Sequence, residues 1–436
     1  MKASILFRLF VMGVLMGALL VPTSMIWWLN YERSQRFEEA SREVMKTWAG
    51  EQTLFGPVIA VPYQRPVEEQ AWNDRTQSYT KMTVTRQFTA YFLPESLNVD
   101  GVAETEIRMR GLFRVPVYTT KLKLSGRFRK ADVSKLSVSE ANFLWDQAVV
   151  KIGLTDLKGL RESIPWKNGQ SFALSKVIDG YFSQSIEAPL GPVSEDGVEF
   201  DLNVVLVGSR ELKIMPVGNE TTVHMTSSWP SPSFSGGYLP AERKVSDAGF
   251  DARWKVLEVG RHFPQSFVNE SAIPSVNEDA FGLKFLLPVD IYQLSTRSVK
   301  YANLFIFLTF LVFFLFEVLA GLRIHPVQYL MVGMALAVFY LLLLALSEHI
   351  GFTASYAAGA AATVGLICLY VSAVLKSAAR VAVLGSILAG LFGYLYVVLR
   401  AEDYALLLGS LGLFAILAVV MMVTRKIDWY AMDREK

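Results

Sequence analysis

Hydrophobic positions fall along this chain in two regimes. Near the start and through the last third they run for about twenty residues at a stretch, the length an α-helix needs to cross a hydrocarbon core about 30 Å thick. The qualifying segments are Leu9 to Leu29, Tyr301 to Leu322, Val327 to Ser347, Ser355 to Leu375, Val381 to Leu399 and Tyr404 to Thr424. Each stops at charge or at a turn signal, as where Arg323, His325 and Pro326 end one helix and Pro326 opens the next. The first reads as an uncleaved anchor rather than a signal peptide. Its apolar stretch is long, it ends in the interfacial aromatics Trp27, Trp28 and Tyr31, and no small-x-small triplet follows.

Between the spans the period changes. Phe37, Ala40, Val44 and Trp48 recur at helical spacing among charged residues, which predicts an amphipathic stalk over 30–50 that Gly50 stops. Beyond it the period is two. Met82, Val84, Phe88, Ala90 and Phe92 alternate with Lys81, Thr83, Thr85, Gln87 and Thr89, and the sets Phe200 to Leu206 and Phe281 to Leu287 behave alike. Strands with one buried face are expected, with short helices over Asp156 to Pro165 and Ser171 to Tyr181 and a surface loop over the Pro, Ser and Gly-rich run Ser228 to Gly237. Aromatic-Leu-Pro followed by Val occurs at Phe92 to Val99 and again at Tyr238 to Val245, which suggests a duplicated sandwich-like domain. The fold class is therefore a membrane protein, an α-helical bundle of six transmembrane helices, one N-terminal and five C-terminal, with a large mainly-β domain. The expected divisions are 1–29, 30–50, 51–298, 299–424 and a tail over 425–436.

Charge orients this arrangement. From Tyr301 to Thr424 the charged residues are Glu317, Arg323, Glu348, Lys376, Arg380, Arg400, Glu402 and Asp403 alone. With the N-terminus in the cytoplasm, Lys2, Arg8, Arg323, Lys376, Arg380, Arg425, Lys426, Arg434 and Lys436 all lie inside, and Arg400 alone falls in a short outer loop. Both termini are then cytoplasmic and the β-domain extracytoplasmic, which in a bacterium is the periplasm. The net charge of +2 and the lack of a basic stripe argue against a nucleic-acid partner. Cys368 is the single cysteine, so no intramolecular disulfide can form and the domain rests on its own core.

Candidate chemistry is sparse. The chain has no H-E-x-x-H, G-x-S-x-G, P-loop or G-x-G-x-x-G, and His224, His262, His325 and His349 are not spaced as metal ligands. No enzyme, cofactor or metal is expected. Glu317 lies within a span, where an ionisable residue marks a relay or a helix contact, but its closeness to Arg323 favours snorkelling to the headgroups. Glu348 and His349 read as a hydrated helix end. The small rows Ala382, Ser386, Gly390 and Gly385, Ala389, Gly393 predict tight helix packing. Loops around Trp229, Tyr238 and Trp254 are the expected binding surface, although Trp254 fits the β core equally well.

Several stretches carry a resemblance. They include Leu287 to Phe310, Phe313 to Glu317, Arg323 to Leu330 and Leu341 to Phe352, together with Ser235-Gly-Gly-Tyr-Leu-Pro, Gly249-Phe-Asp-Ala-Arg-Trp, Leu54 to Tyr63 and Arg110-Gly-Leu-Phe. The chain resembles the CreD family of bacterial inner-membrane proteins over most of its length. That resemblance implies an inner-membrane protein of cell-envelope integrity, produced under a two-component response to envelope or β-lactam stress, and supplies no catalytic or ligand-binding residues. The function expected is a non-enzymatic one in which the β-domain binds an envelope protein or a cell-wall or lipid ligand and the helices anchor it in the bilayer. The second reading is a permease-like transporter of a lipid or envelope precursor.

Overall fold

A computed structural model of the chain describes residues 5–427 except 74–77, 137, 176–183, 192–196, 269–275, 288–290, 320–323, 402–403 and 426. The chain forms two compact units, Glu39–Pro288 and a helical unit of Met1–Glu38 with Val289–Lys436. Helix α1 (Ile5–Thr47) is continuous through Pro22 and stops shortly before Gly50.

The β unit is built from two sheets. Its elements are β1 (Gln52–Asn73), β2 (Ser78–Phe92), β3 (Ser96–Arg110), β4 (Phe113–Phe128), β5 (Val149–Leu154), β6 (Ala173–Leu174), β7 (Ser185–Pro189), β8 (Val198–Ser209), β9 (Glu211–Ile214), β10 (Glu220–Ser227), β11 (Pro232–Gly236), β12 (Glu242–Ser246), β13 (Gly249–Leu257), β14 (Ser266–Phe267), the short α2 (Val276–Asp279) and β15 (Phe281–Phe285). One sheet runs β11-β15-β9-β1-β5-β7-β6, with β2 on β1 and β14 on β2; the other runs β12-β13-β10-β3-β4-β8. Pairs β1 with β9 and β3 with β10 are parallel, which requires crossovers between the sheets. Both sheets feed one apolar core, in which Leu54, Val61, Leu122, Leu202, Leu206, Trp254, Phe281 and Leu283 are buried. The alternations at Phe200 to Leu206 and Phe281 to Phe285 thus each bury one face. The last turns of α1 form a smaller cluster, where Val44 and Trp48 pack with Val115 and Val117 of β4.

Three local expectations are corrected. The run Ser228 to Gly237 contains strand β11, paired with β15 from Pro232 opposite Phe285 to Gly236 opposite Phe281. β11 is an edge strand, where a proline removes no ladder bond that the sheet needs. The stretch Asp156 to Pro165 holds only a 3-10 turn, Leu157–Gly159, capped by the Asp156 side chain accepting from the Lys158 amide at 3.0 Å. In the second stretch Ala173–Leu174 is strand, and 176–183 lie outside the described residues.

The helical unit continues with α3 (Ile291–Lys300), α4 (Ala302–Leu319), α5 (Pro326–Ile350), α6 (Phe352–Leu375), α7 (Ala378–Arg400) and α8 (Ala405–Thr424). Helices α1 and α4 to α8 are long and apolar enough to cross a membrane. Helix α5 begins where Pro326 was expected to open it. The His325 ring accepts from the Val327 amide at 3.3 Å while Gln328 Oε1 accepts from the His325 amide at 3.0 Å, and Pro326 needs no partner at the first helical position. Helix α3 precedes the first C-terminal span and buries Ser295, Ser298 and Val299.

Helix packing departs from the small-residue expectation. On α7 the buried face is Leu384, Leu388, Phe392, Leu395, Val398 and Leu399, whereas Ala382, Ser386, Gly390 and Gly393 are exposed. A Cβ on Gly390 or Gly393 meets nothing within 4 Å, and only Gly385, beside the Cys368 sulfur, sits close to a neighbour. A small row permits close approach but does not select the face that a bundle uses, and here large side chains supplied more buried area. The close approach lies on α5 instead. A Cβ on Gly333 would stand 2.3 Å from Leu19 Cδ1 of α1 and 3.0 Å from Phe310 Cζ of α4. Gly333→Leu is therefore expected to lower stability in detergent by about 2–3 kcal/mol through overpacking, while Gly390→Leu changes it by less than about 0.5 kcal/mol. Parallel melts of the two variants check this ranking.

Candidate functional site

Two buried carboxylates inside the helical unit are matched to cations. Glu317 of α4 is 6% exposed, and its carboxylate accepts from Arg8 Nη1 of α1 at 2.9 Å and from the Tyr329 hydroxyl of α5 at 3.0 Å. Three helices thus meet at one carboxylate. This overturns the snorkelling expectation: within hydrocarbon an internal cation is a better counter-charge than a long reach to the headgroups. Glu348 is corrected in the same way. It is 8% exposed, accepts from Arg33 Nε at 2.8 Å and, through its other oxygen, from Arg33 Nη2, and receives the Tyr292 hydroxyl at 3.0 Å. Between these two clusters, Thr23 contacts Asn303 at 3.0 Å and Asn30 donates to Thr296 at 2.6 Å. These pairs at Arg8, Thr23, Asn30 and Arg33 tie helix α1 to α3, α4 and α5.

The remaining space in this unit is apolar. A cavity of about 430 Å³ opens between α6 and α7, lined by Tyr356, Ala360, Val364, Phe392 and Tyr396, with Thr353 at its polar end. A groove of about 700 Å³ lies among α4, α7 and α8, and its single charged lining residue is Arg380.

In the β unit a charged network fixes loops around a buried guanidinium. Arg261, 8% exposed, directs Nη1 at the carbonyls of Pro216, Val217 and Gly218 at 3.0, 2.8 and 3.2 Å, and Nε at that of Phe263 at 3.2 Å. Its Nη2 donates to Gln265, whose amide donates in turn to the carbonyls of Leu93 and Pro94 at 3.0 and 2.6 Å. Burial lowers the Arg261 pKa to about 10, which leaves it charged at neutral pH. Nearby, the fully buried Asp279 accepts on Oδ1 from the His262 ring at 3.0 Å and from the Tyr238 hydroxyl at 3.2 Å. Burial first, and the Asp279 charge second, push Tyr238 up to about 12. These groups are structural cross-links, and among the described residues no group of His, Cys, Asp and Glu is arranged to hold a metal ion.

The aromatics expected on binding loops sit elsewhere. Trp254 is 1% and Trp229 7% exposed, with the Trp229 indole donating to the Leu286 carbonyl at 2.9 Å; Tyr238 is engaged at Asp279 and donates to the Gly260 carbonyl at 2.6 Å. Trp254 edges onto Phe234 and tilts against Phe281, as a core residue does. The corrected expectation points to a different surface. The alternation in β2 was expected to bury one face, yet only Ala90 and Phe92 do so, and Met82, Val84 and Phe88 are 53%, 39% and 36% exposed. They belong to a two-stranded ribbon running from Tyr63 opposite Phe88 to Asn73 opposite Ser78, in which Val67 faces Val84 and Glu69 faces Met82. On the opposite face Trp72 and Tyr79 meet edge to face at 5.2 Å and are 53% and 67% exposed. Among the described residues, β2 has a second neighbour only where β14 meets Tyr91 and Phe92, and β1 beyond Tyr63 has none but β2. Among the described residues the ribbon is therefore open at both edges; Met82, Val84 and Phe88 share one face with Arg65 and the ion pair Arg86–Glu69, and the other face is mainly polar apart from Trp72 and Tyr79.

Comparison with known proteins bears on the whole chain. The family described as inner membrane protein CreD matches residues 4–430. A curated relative, the inner membrane protein CreD of Escherichia coli strain K12, is 36% identical over 427 residues, covering 96% of this chain and 92% of that protein. The six candidate spans and the β unit both fall inside the matched region. The chain belongs to the CreD family of inner membrane proteins.

Proposed function

We propose that this is a non-enzymatic inner-membrane protein whose β-domain lies in the periplasm and binds another component of the cell envelope, while the helices anchor it. The role is in envelope integrity and in the response to envelope or β-lactam stress. The observation that carries this reading is the β1–β2 ribbon: a strand pair patterned for burial whose Met82, Val84 and Phe88 and both edges are left uncovered among the described residues. Open strand edges recruit extended segments of a partner, and the exposed Met82, Val84 and Phe88 offer apolar contacts beside those edges. The Lys/Arg asymmetry of the short flanks supports a domain outside and both termini in the cytoplasm.

The test has two arms on the intact protein. A cysteine introduced at exposed Lys244 in a Cys368→Ser background should react with a membrane-impermeant maleimide in cells with a permeabilised outer membrane, whereas one at exposed Arg425 should react only after lysis. A photoreactive residue at Val84 should give a discrete envelope adduct that Met82→Asp abolishes, with none from the more exposed Leu174. The opposite labelling order, or the same adducts from both positions, sinks the proposal.

A second reading has one observation in its favour. The apolar cavity between α6 and α7 has the size of a small-ligand site, about 300–1,000 Å³, and fits a permease-like protein for a lipid. In that case Ala360→Trp, which fills the cavity, abolishes stress tolerance while the ribbon variants leave it intact.

A further inference from the structure

We infer that the groove among α4, α7 and α8 is a binding site for one anionic glycerophospholipid, its acyl chain lying in the groove and its phosphate at Arg380. The inference does not depend on the ribbon. The groove is lined by Leu308, Val312 and Leu319 of α4, Ile387 and Leu391 of α7, and Val419 of α8, and holds about 700 Å³. Helix α8 has no buried residue, so the bundle closes this side only loosely and leaves space that another apolar body must fill.

Three features identify the occupant. First, Arg380 is exposed, lines the groove and makes no hydrogen bond or ion pair among the described residues, while the buried carboxylates Glu317 and Glu348 of the helical unit are already paired with Arg8 and Arg33. Second, Arg380 lies in the first turn of α7, whose N-cap Ser377 makes no side-chain capping bond. The guanidinium and the free amides of that turn together attract a phosphate. Third, the wide part of the groove has the length of one leaflet: from Arg380 to Leu391 the helix rises about 16 Å, half of a core about 30 Å thick. Beyond Leu308, Leu391 and Ile416 the crevice narrows to about 50 Å³ as it runs on toward Tyr301 and Val398. A cation at one end and apolar walls for half the bilayer match a phospholipid of the leaflet on the Arg380 side. A second copy's transmembrane helix would instead need the groove to keep its width across both leaflets, and it narrows past Leu391.

Native mass spectrometry of the full-length protein tests this, after exchange into detergent micelles carrying equal phosphatidylglycerol and phosphatidylcholine. The wild type should retain one phospholipid per chain with about fivefold preference for phosphatidylglycerol, the factor one basic residue contributes at an anionic lipid surface. Arg380→Gln should erase that preference with thermal melting unchanged. Ile387→Trp should reduce retention of both lipids. Unchanged preference in Arg380→Gln, multiple lipids held without preference as non-specific annular lipid, or a wild-type dimer that Ile387→Trp converts to monomer would each overturn the assignment. Should Ile387→Trp fail to fold, the exposed Arg380 variant still decides.

Discussion

Replacing Arg261 by alanine is expected to cost the β-domain about 3–5 kcal/mol, the largest effect of any single polar substitution in that unit. The guanidinium is buried, serves carbonyls from Pro216 to Gly218 and that of Phe263, and stacks over the Phe263 ring at 4.5 Å. Truncation leaves several buried acceptors without a donor, at about 1–3 kcal/mol each before relaxation. It also frees Gln265, the link to the carbonyls of Leu93 and Pro94. Arg261→Lys should recover little, because one ammonium cannot reproduce the fork that reaches acceptors on several chain segments. Limited proteolysis and urea unfolding of the full-length protein measure this; a melt within about 1 kcal/mol of wild type would show that water replaces the guanidinium at no cost.

The second large effect concerns Glu317. Glu317→Leu should lower stability in detergent by about 2–3 kcal/mol, since it leaves Arg8 without its counter-charge and Tyr329 without its acceptor. Arg8 is 30% exposed, which lets it recover some hydration and keeps the cost below that of a fully buried orphan. The double variant Arg8→Leu with Glu317→Leu should be more stable than the sum of the single losses, with a coupling of about 1–3 kcal/mol. Additive losses would mean that the pair contributes nothing and that each residue acts through its own surroundings.

What the sequence made legible follows from the range of the forces involved. The six spans could be read because the bilayer imposes a length on each segment by itself, and the strands of the core could be read because pleating imposes a period of two. Pairings between distant segments could not be read. Arg8 and Glu317 lie 309 positions apart, and Arg33 and Glu348 315. A carboxylate within a span nevertheless demands a cation at its own depth, and Arg8, at the same predicted membrane face, was the signal available. The α7 stripe failed because smallness does not reveal which face is turned inward. The ribbon was missed for the converse reason: Met82, Val84 and Phe88 alternate as buried residues do, and period alone does not distinguish a face covered within its own domain from one left bare.

The central claim is that the bare ribbon face is where the protein works. Survival of a deletion strain under β-lactam challenge, complemented with full-length Met82→Asp, Val84→Asp protein at wild-type abundance, tests it most directly. Both positions are exposed, so the substitutions should leave folding and membrane insertion unchanged. The expected result is loss of most of the complementation, with a control pair of charges at exposed Leu174 and Val245 retaining it; full survival of the ribbon variant, folded and inserted, would contradict the account.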